Sequence, residues 1–228
     1  MQLRLLGCFR FAVDGQRVEI PAVSARILAY LGVRGEEVER SAMARVLWPH
    51  TTHSRSLGNL RSALWRLPTC SRNAVSERGT LMSLDPDVRC DLELLEHNVA
   101  STVSKRVADV VAWGWCDELL AGWYDDWVLS ARESFQVRRA MALERLSGIC
   151  CTSGLHRDAV LYATLAVAAQ PMRESAHQAL LRAHIDHGNA GEATRLYREL
   201  VTMLEGELGV TPSPDTLAIM ATIGDDVA

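Results

Sequence analysis

The sequence predicts a mainly α chain in two parts, a small α+β unit at the N-terminus followed by an all-α unit of paired helices. Three observations carry this. Apolar residues alternate at the start of the chain, as in a half-buried strand. They recur at helical spacing through most of the remaining chain. Near the C-terminus small residues repeat 34 positions apart, the period of a helix-pair array. A chain of 228 residues has room for two domains, expected as residues 1–87 and 88–228.

Leu3, Leu5, Phe9, Phe11 and Val13 fall on alternate positions and predict a strand. Asp14-Gly15 is a preferred hairpin pair, and Val18 and Ile20 continue on the return strand. Three helices come next. The first, about Ala22 to Val33, puts Ile27, Leu28 and Leu31 on one face. Ser41 is the expected cap of the second, which ends at Trp48-Pro49. The third runs from about Ser54 to Leu67, where Pro68 stops it, with Leu57, Leu60, Leu64 and Leu67 as its core stripe. Ala74-Val75-Ser76 and Thr80 to Leu84 then predict a hairpin around Glu77-Arg78-Gly79.

The third helix is informative on its other side. Arg55, Gly58, Ser62, Trp65 and Arg66 point away from the leucines, with Asn59 and Arg61 on the shoulders and no acid among them. Arginine forks onto guanine or phosphate, asparagine pairs with adenine and serine adapts to either. Between Arg40 and Arg78 the chain holds seven arginines and one acid, Glu77. Arg78 stands at the hairpin tip, within reach of phosphate or a minor groove. Strand, three helices and a basic-tipped hairpin in this order describe a winged helix that reads DNA, with Arg55, Asn59, Arg61, Ser62, Trp65, Arg66 and Arg78 as its candidate contacts.

From Val103 onward the sequence reads as helix, over about 104–121, 126–153, 156–169, 173–187, 190–207 and 214–223. Gly154 and Gly188 are 34 residues apart, as are Ala159 and Ala193, and a tyrosine lies further along each helix, Tyr162 and Tyr197. This is tetratricopeptide-like spacing, in which small residues let two helices pack closely. Trp123, Tyr124 and Trp127 form an aromatic cluster expected to be core packing, and Arg173, Glu174 and His177 are placed to organise a helix start. Residues 101–228 carry 11 basic and 17 acidic side chains, against 13 and 11 in residues 1–100.

The segment "VLWPHTTHSRSLGNLRSALWRL", Val46 to Leu67, resembles the helix-turn-helix of the Streptomyces antibiotic regulatory protein family, most specifically in "NLRSALWRL". That family usually has an acid where His50 stands and continues basic where Pro68 stands. "ELLAGWYDDWV" (Glu118 to Val128), "PMRESAHQALLRAH" (Pro171 to His184) and "ELGVTPSPDTL" (Glu207 to Leu217) resemble the bacterial transcriptional activator domain that comes after the winged helix in such regulators. The resemblance implies a sequence-specific activator that binds double-stranded promoter DNA as a homodimer and contacts RNA polymerase.

Other function classes find little support. The six cysteines form no CxxC pair and read as buried small hydrophobes. His184 and His187 have no third ligand at helical spacing, so no metal is expected. The single lysine, Lys105, is not preceded by GxxxxGK[ST], and neither GxSxG nor HExxH occurs, so neither a cofactor nor an enzyme activity is expected. Charges interrupt every apolar stretch and Met1 to Val13 alternates, so neither a membrane span nor a signal peptide is expected, and the cytoplasm is the expected compartment. The rival reading is a tetratricopeptide-like interaction scaffold whose winged helix contacts protein instead of DNA.

Overall fold

The computed structural model describes residues 1–92 and 117–225, and these divide into two compact units. Described residues 1–92 and 117–133 make the first and residues 134–225 the second. The chain is mainly α, as the sequence predicts.

In the first unit β1 (Gln2–Arg4), β2 (Arg10–Val13) and β3 (Gln16–Val18) form an antiparallel meander, and β7 (Arg89–Cys90) adds parallel to β1. The single opening strand expected from the alternation is therefore two strands, because the chain reverses at Gly7, whose φ is +77°. Asp14 and Gly15 both have positive φ, as the tight β2–β3 hairpin requires. Helix α1 (Ala22–Arg34) is buried over most of its length, from Ser24 to Gly32. Strand β4 (Val38–Glu39) leads into α2 (Arg40–Leu47), and α3 (His53–Trp65) is next. A 3-10 turn over Thr69–Ala74 then feeds β5 (Val75–Arg78) and β6 (Leu81–Leu84), which join β4 in the order β4-β6-β5. The core between these elements holds Ile27, Leu31, Met43, Leu47, Leu60, Ala63 and Met82.

Two local expectations are corrected. Glu39 caps α2 in place of Ser41: its carboxylate accepts the N–H groups of Ser41 and Ala42, and its longer side chain reaches them from outside the helix. The cysteines are not uniformly buried. Cys90 and Cys150 are buried and Cys151 is half-buried, whereas Cys8 and Cys70 lie in exposed turns; Cys116 is outside the described residues.

The aromatic segment belongs to the first unit. Leu120 N–H donates to Leu5 O at 2.7 Å and Gly7 N–H donates to Glu118 O at 2.8 Å, so residues 118–121 run beside the end of β1. Trp123 stacks on Phe9 at 5.7 Å, and Trp127 meets Tyr30 edge-on at 5.3 Å. Core packing is thus the role of both tryptophans, while Tyr124 is exposed beneath the Arg132 guanidinium.

Helix α4 (Asp126–Thr152) crosses the division between the units. The second unit continues with α5 (His156–Ala169), α6 (Glu174–Asp186), α7 (Ala190–Met203), a π turn (Leu204–Leu208) and α8 (Pro214–Asp225). The expected helix 104–121 falls mostly outside the described residues, and its last residues, 117–121, are bridge and turn. The 34-residue repeat has a physical basis. Leu155 N–H donates to Cys150 O and Asn189 N–H to His184 O, after Gly154 and Gly188 at φ +73° and +78°. Both helices therefore end in the same left-handed glycine cap. Ala159, Ala163 and Ala193 are fully buried, and α6 packs against both α5 and α7.

Two of the family-like segments meet in this unit. Glu174 at the start of α6 accepts hydrogen bonds from Ser213 N–H and the buried Thr216 hydroxyl, and Gln178 donates to both side chains. Arg173 instead pairs with Glu144 at 2.6 Å. Burial pushes the Glu174 carboxyl up, but the bonds from Thr216 and Ser213 outweigh it and hold the group below the usual glutamate range. A depressed carboxylate stabilises the fold above its unfolded value and loses that contribution as pH falls through the lower folded one. Melting monitored from neutral pH down to about pH 3 should therefore show Glu174→Gln less stable at neutrality and less acid-sensitive than the parent. Parallel pH profiles would remove this contact from the account.

Candidate nucleic-acid interface

Helices α2 and α3 are joined by a tight turn. Trp48 N–H donates to Ala44 O at 3.0 Å, and the Thr51 hydroxyl donates to Trp48 O at 3.0 Å. Helix α3 starts at His53 without a side-chain cap and ends at Trp65, two residues short of the expected Leu67. Its buried stripe is Ser56, Leu60 and Ala63, while Leu57 and Leu64 are only half-buried. The core side is thus turned by roughly 50°, half of one residue's step, from the leucine stripe. Ser56 is accommodated because its hydroxyl donates to His53 O at 2.8 Å, and Ser24 donates to Ala63 O from α1.

The rotation sets the order of the outward residues. Trp65 and Ser62 stand opposite the buried stripe, with Trp65 79% exposed. Arg55, Asn59 and Arg66 run along one shoulder and Arg61 along the other; the arginines are exposed and Asn59 is half-buried. Arg55, Arg61 and Arg66 enter no ion pair among the described residues. Gly58 lies on the outward side as well, and a methyl group there would meet nothing within 4 Å.

The hairpin β5–β6 turns through Gly79-Thr80, with Arg78 opposite Leu81. The Arg78 side chain is 82% exposed and its one ion pair, to Glu37, is 3.5 Å long. So exposed a pair contributes little and is readily exchanged for another anion. Arg40 beside it is held by Glu77 at 2.9 Å. Thus five of the seven sequence-predicted residues sit on one helix, Arg66 is that helix's C-cap, and Arg78 is on the hairpin beside β4. Arg45 and Arg72 are also exposed and hold no ion pair among the described residues. Both lie in the same arginine-rich stretch, which was the signal that marked them.

The family model of the bacterial transcriptional activator domain matches residues 93–223. The chain belongs to that family. It is a transcription regulator of the Streptomyces antibiotic regulatory protein type, with a winged helix ahead of the activator domain. The regulatory protein AfsR of Streptomyces griseus is 25% identical over 215 residues, which is 89% of this chain and 22% of that protein. AfsR of Streptomyces coelicolor is 32% identical over 100 residues, 44% of this chain and 10% of that one. The chain thus spans less than a quarter of the length of these relatives. The structure of Mycobacterium tuberculosis EmbR in complex with a low-affinity phosphopeptide aligns with a TM-score of 0.78 at 19% identity, covering 99% of this chain and 65% of that one. That likeness shows the fold. Residues 117–133 fall inside the family match yet pack in the first unit of this regulator. No described helix is long and apolar enough to cross a membrane.

Proposed function

We propose that this regulator is a sequence-specific activator that reads double-stranded promoter DNA in the cytoplasm. Helix α3 enters the major groove and the β5–β6 hairpin tracks the adjacent backbone. The observation that carries the reading is the outward side of α3 and its C-cap: three arginines without an ion pair among the described residues, an asparagine, a serine and an exposed tryptophan, with no acid in the helix. This side leaves its cations and a tryptophan to solvent. A groove supplies anions for the first and deoxyribose or thymine methyl surface for the second. The helical second unit supports self-association as a homodimer and contact with RNA polymerase, roles carried over from the family.

Positioning and reading should separate by mutation. Arg78→Ala should weaken binding about equally on all sequences, because a phosphate contact carries no base information. Arg61→Ala or Ser62→Ala should cost about 1–3 kcal/mol on the true site and little on scrambled DNA. Titrations against specific and scrambled duplexes make the comparison. Equal losses for Arg61→Ala on both would move that residue to the backbone.

A further inference from the structure

The four-stranded sheet has a second basic face that the DNA reading does not use. Its register is Leu3 opposite Phe11 and Cys90, and Phe11 opposite Val18, which are the inward residues. The alternate set faces outward: Gln2 opposite Ala12 and Arg89, Arg4 opposite Arg10, and Arg17 opposite Ala12. Four exposed arginines, one from each strand, therefore share one face. Arg4 is paired with Asp117 at 3.2 Å, whereas Arg10, Arg17 and Arg89 hold no ion pair among the described residues. Glu19, Asp87 and Asp91, the nearest acids in sequence to Arg17 and Arg89, lie beyond the ends of β3 and β7, and the Asp91 carboxylate is taken up by the Leu5 and Leu6 N–H groups. Like charges directly opposite across strands are destabilising, and Arg4 and Arg10 are such a pair.

This face is turned away from α3. The inner side of the sheet rests on α1, where a Cβ on Gly32 would stand 2.8 Å from Leu3 and 2.9 Å from Leu5. Helix α1 in turn holds α3 through Ser24 and Ala63. The layers run sheet, α1, α3, so a duplex seated on α3 leaves the arginine face open.

We propose that this arginine face docks the acidic second unit of another copy of the chain. The charge distribution supports that occupant, since residues 134–228 hold 11 acids against 8 basic residues. Glu205, Glu207 and Asp215 are exposed at the π turn and the start of α8 and form no ion pair among the described residues. Leu208, Val210 and Leu217 beside them are each about half exposed. In a two-fold homodimer the contact is made twice, the basic patch of each copy against the acidic one of the other, and salt weakens it. It rests on the self-association in the proposed function and names the surfaces that make it.

The test is sedimentation of the full chain at low and high salt, with single-site DNA affinity measured alongside. The parent should associate at low salt and dissociate as salt rises. Arg10→Glu with Arg17→Glu and Arg89→Glu should weaken association at least about tenfold, and so should Glu205→Arg with Glu207→Arg and Asp215→Arg. Combining the two sets should restore association, a recovery that misfolding cannot produce. Single-site DNA affinity should stay within about twofold throughout. A monomeric parent would overturn both the self-association and this interface. A parent that associates as strongly as every variant would overturn the interface alone. Loss of single-site affinity in the first set would assign the face to nucleic acid instead.

Discussion

Replacing Arg132 with alanine is expected to destabilise the first unit by about 3–5 kcal/mol, because it strips a largely buried cation from three backbone carbonyls at once. The guanidinium is 13% exposed and donates to Leu119 O at 2.8 Å, Leu120 O at 2.7 Å and Trp123 O at 2.8 Å. It also pairs with Glu118 at 3.2 Å. These bonds hold the turn in which Leu120 takes a φ of +51°, a conformation that costs a branched-chain residue energy and persists only when its surroundings over-determine it. The same turn aims Trp123 at Phe9 and Trp127 at Tyr30. Lysine should not rescue the loss, since an ammonium cannot fork onto three carbonyls. Thermal melting of the full chain, with near-ultraviolet circular dichroism reporting the tryptophans, makes the measurement. A change below about 1 kcal/mol would mean that the turn is held by its apolar contacts alone.

The second large effect is expected in the helical unit. Ala159→Leu or Ala193→Leu should cost about 1–3 kcal/mol by overpacking, because both side chains are fully buried at close helix contacts. Ala159 also lies where the Ser147 hydroxyl donates to its carbonyl at 2.9 Å, which leaves little room for α4 and α5 to separate. Ala193 packs with Leu181, Leu200, Leu204 and Ile219. The winged helix lies in the other unit and should keep its single-site DNA affinity, so reporter output should fall further than binding. Output that tracks affinity one to one would reduce the helical unit to a platform for association.

Periodicity and turn chemistry made most of the fold legible. Asp14-Gly15 announced its hairpin, Pro68 bounded α3 to within a few residues, and Gly154 and Gly188 marked a repeat that proves to be a repeated helix cap. The misses share a cause, which is that each depends on contacts distant in sequence. β7 pairs with β1 across more than eighty residues, and nothing in Arg89-Cys90 signals a strand. The core side of α3 is centred on Ser56, Leu60 and Ala63 instead of on the leucine stripe; the Ser56 hydroxyl is satisfied by His53 O, and Ser24 of α1 donates to Ala63 O. The residues of the candidate interface were legible one by one. Periodicity put Arg55, Ser62, Trp65 and Arg66 outward with Asn59 and Arg61 on the shoulders; the turned core side keeps Trp65 and Ser62 outward and moves Arg55 and Arg66 onto the shoulder beside Asn59.

The central claim, that the outward side of α3 and the hairpin tip grip DNA, is tested most directly by the salt dependence of duplex binding by the full chain. Each phosphate neutralised releases counterions, so the logarithm of affinity should fall with the logarithm of salt at roughly 0.9 per contact. The account predicts a steep slope for the parent. For Arg55→Ala, Arg66→Ala and Arg78→Ala combined it predicts a slope shallower by about two to three contacts, with the fold intact. An unchanged slope in that variant, or no duplex binding by the parent at low salt, would contradict it.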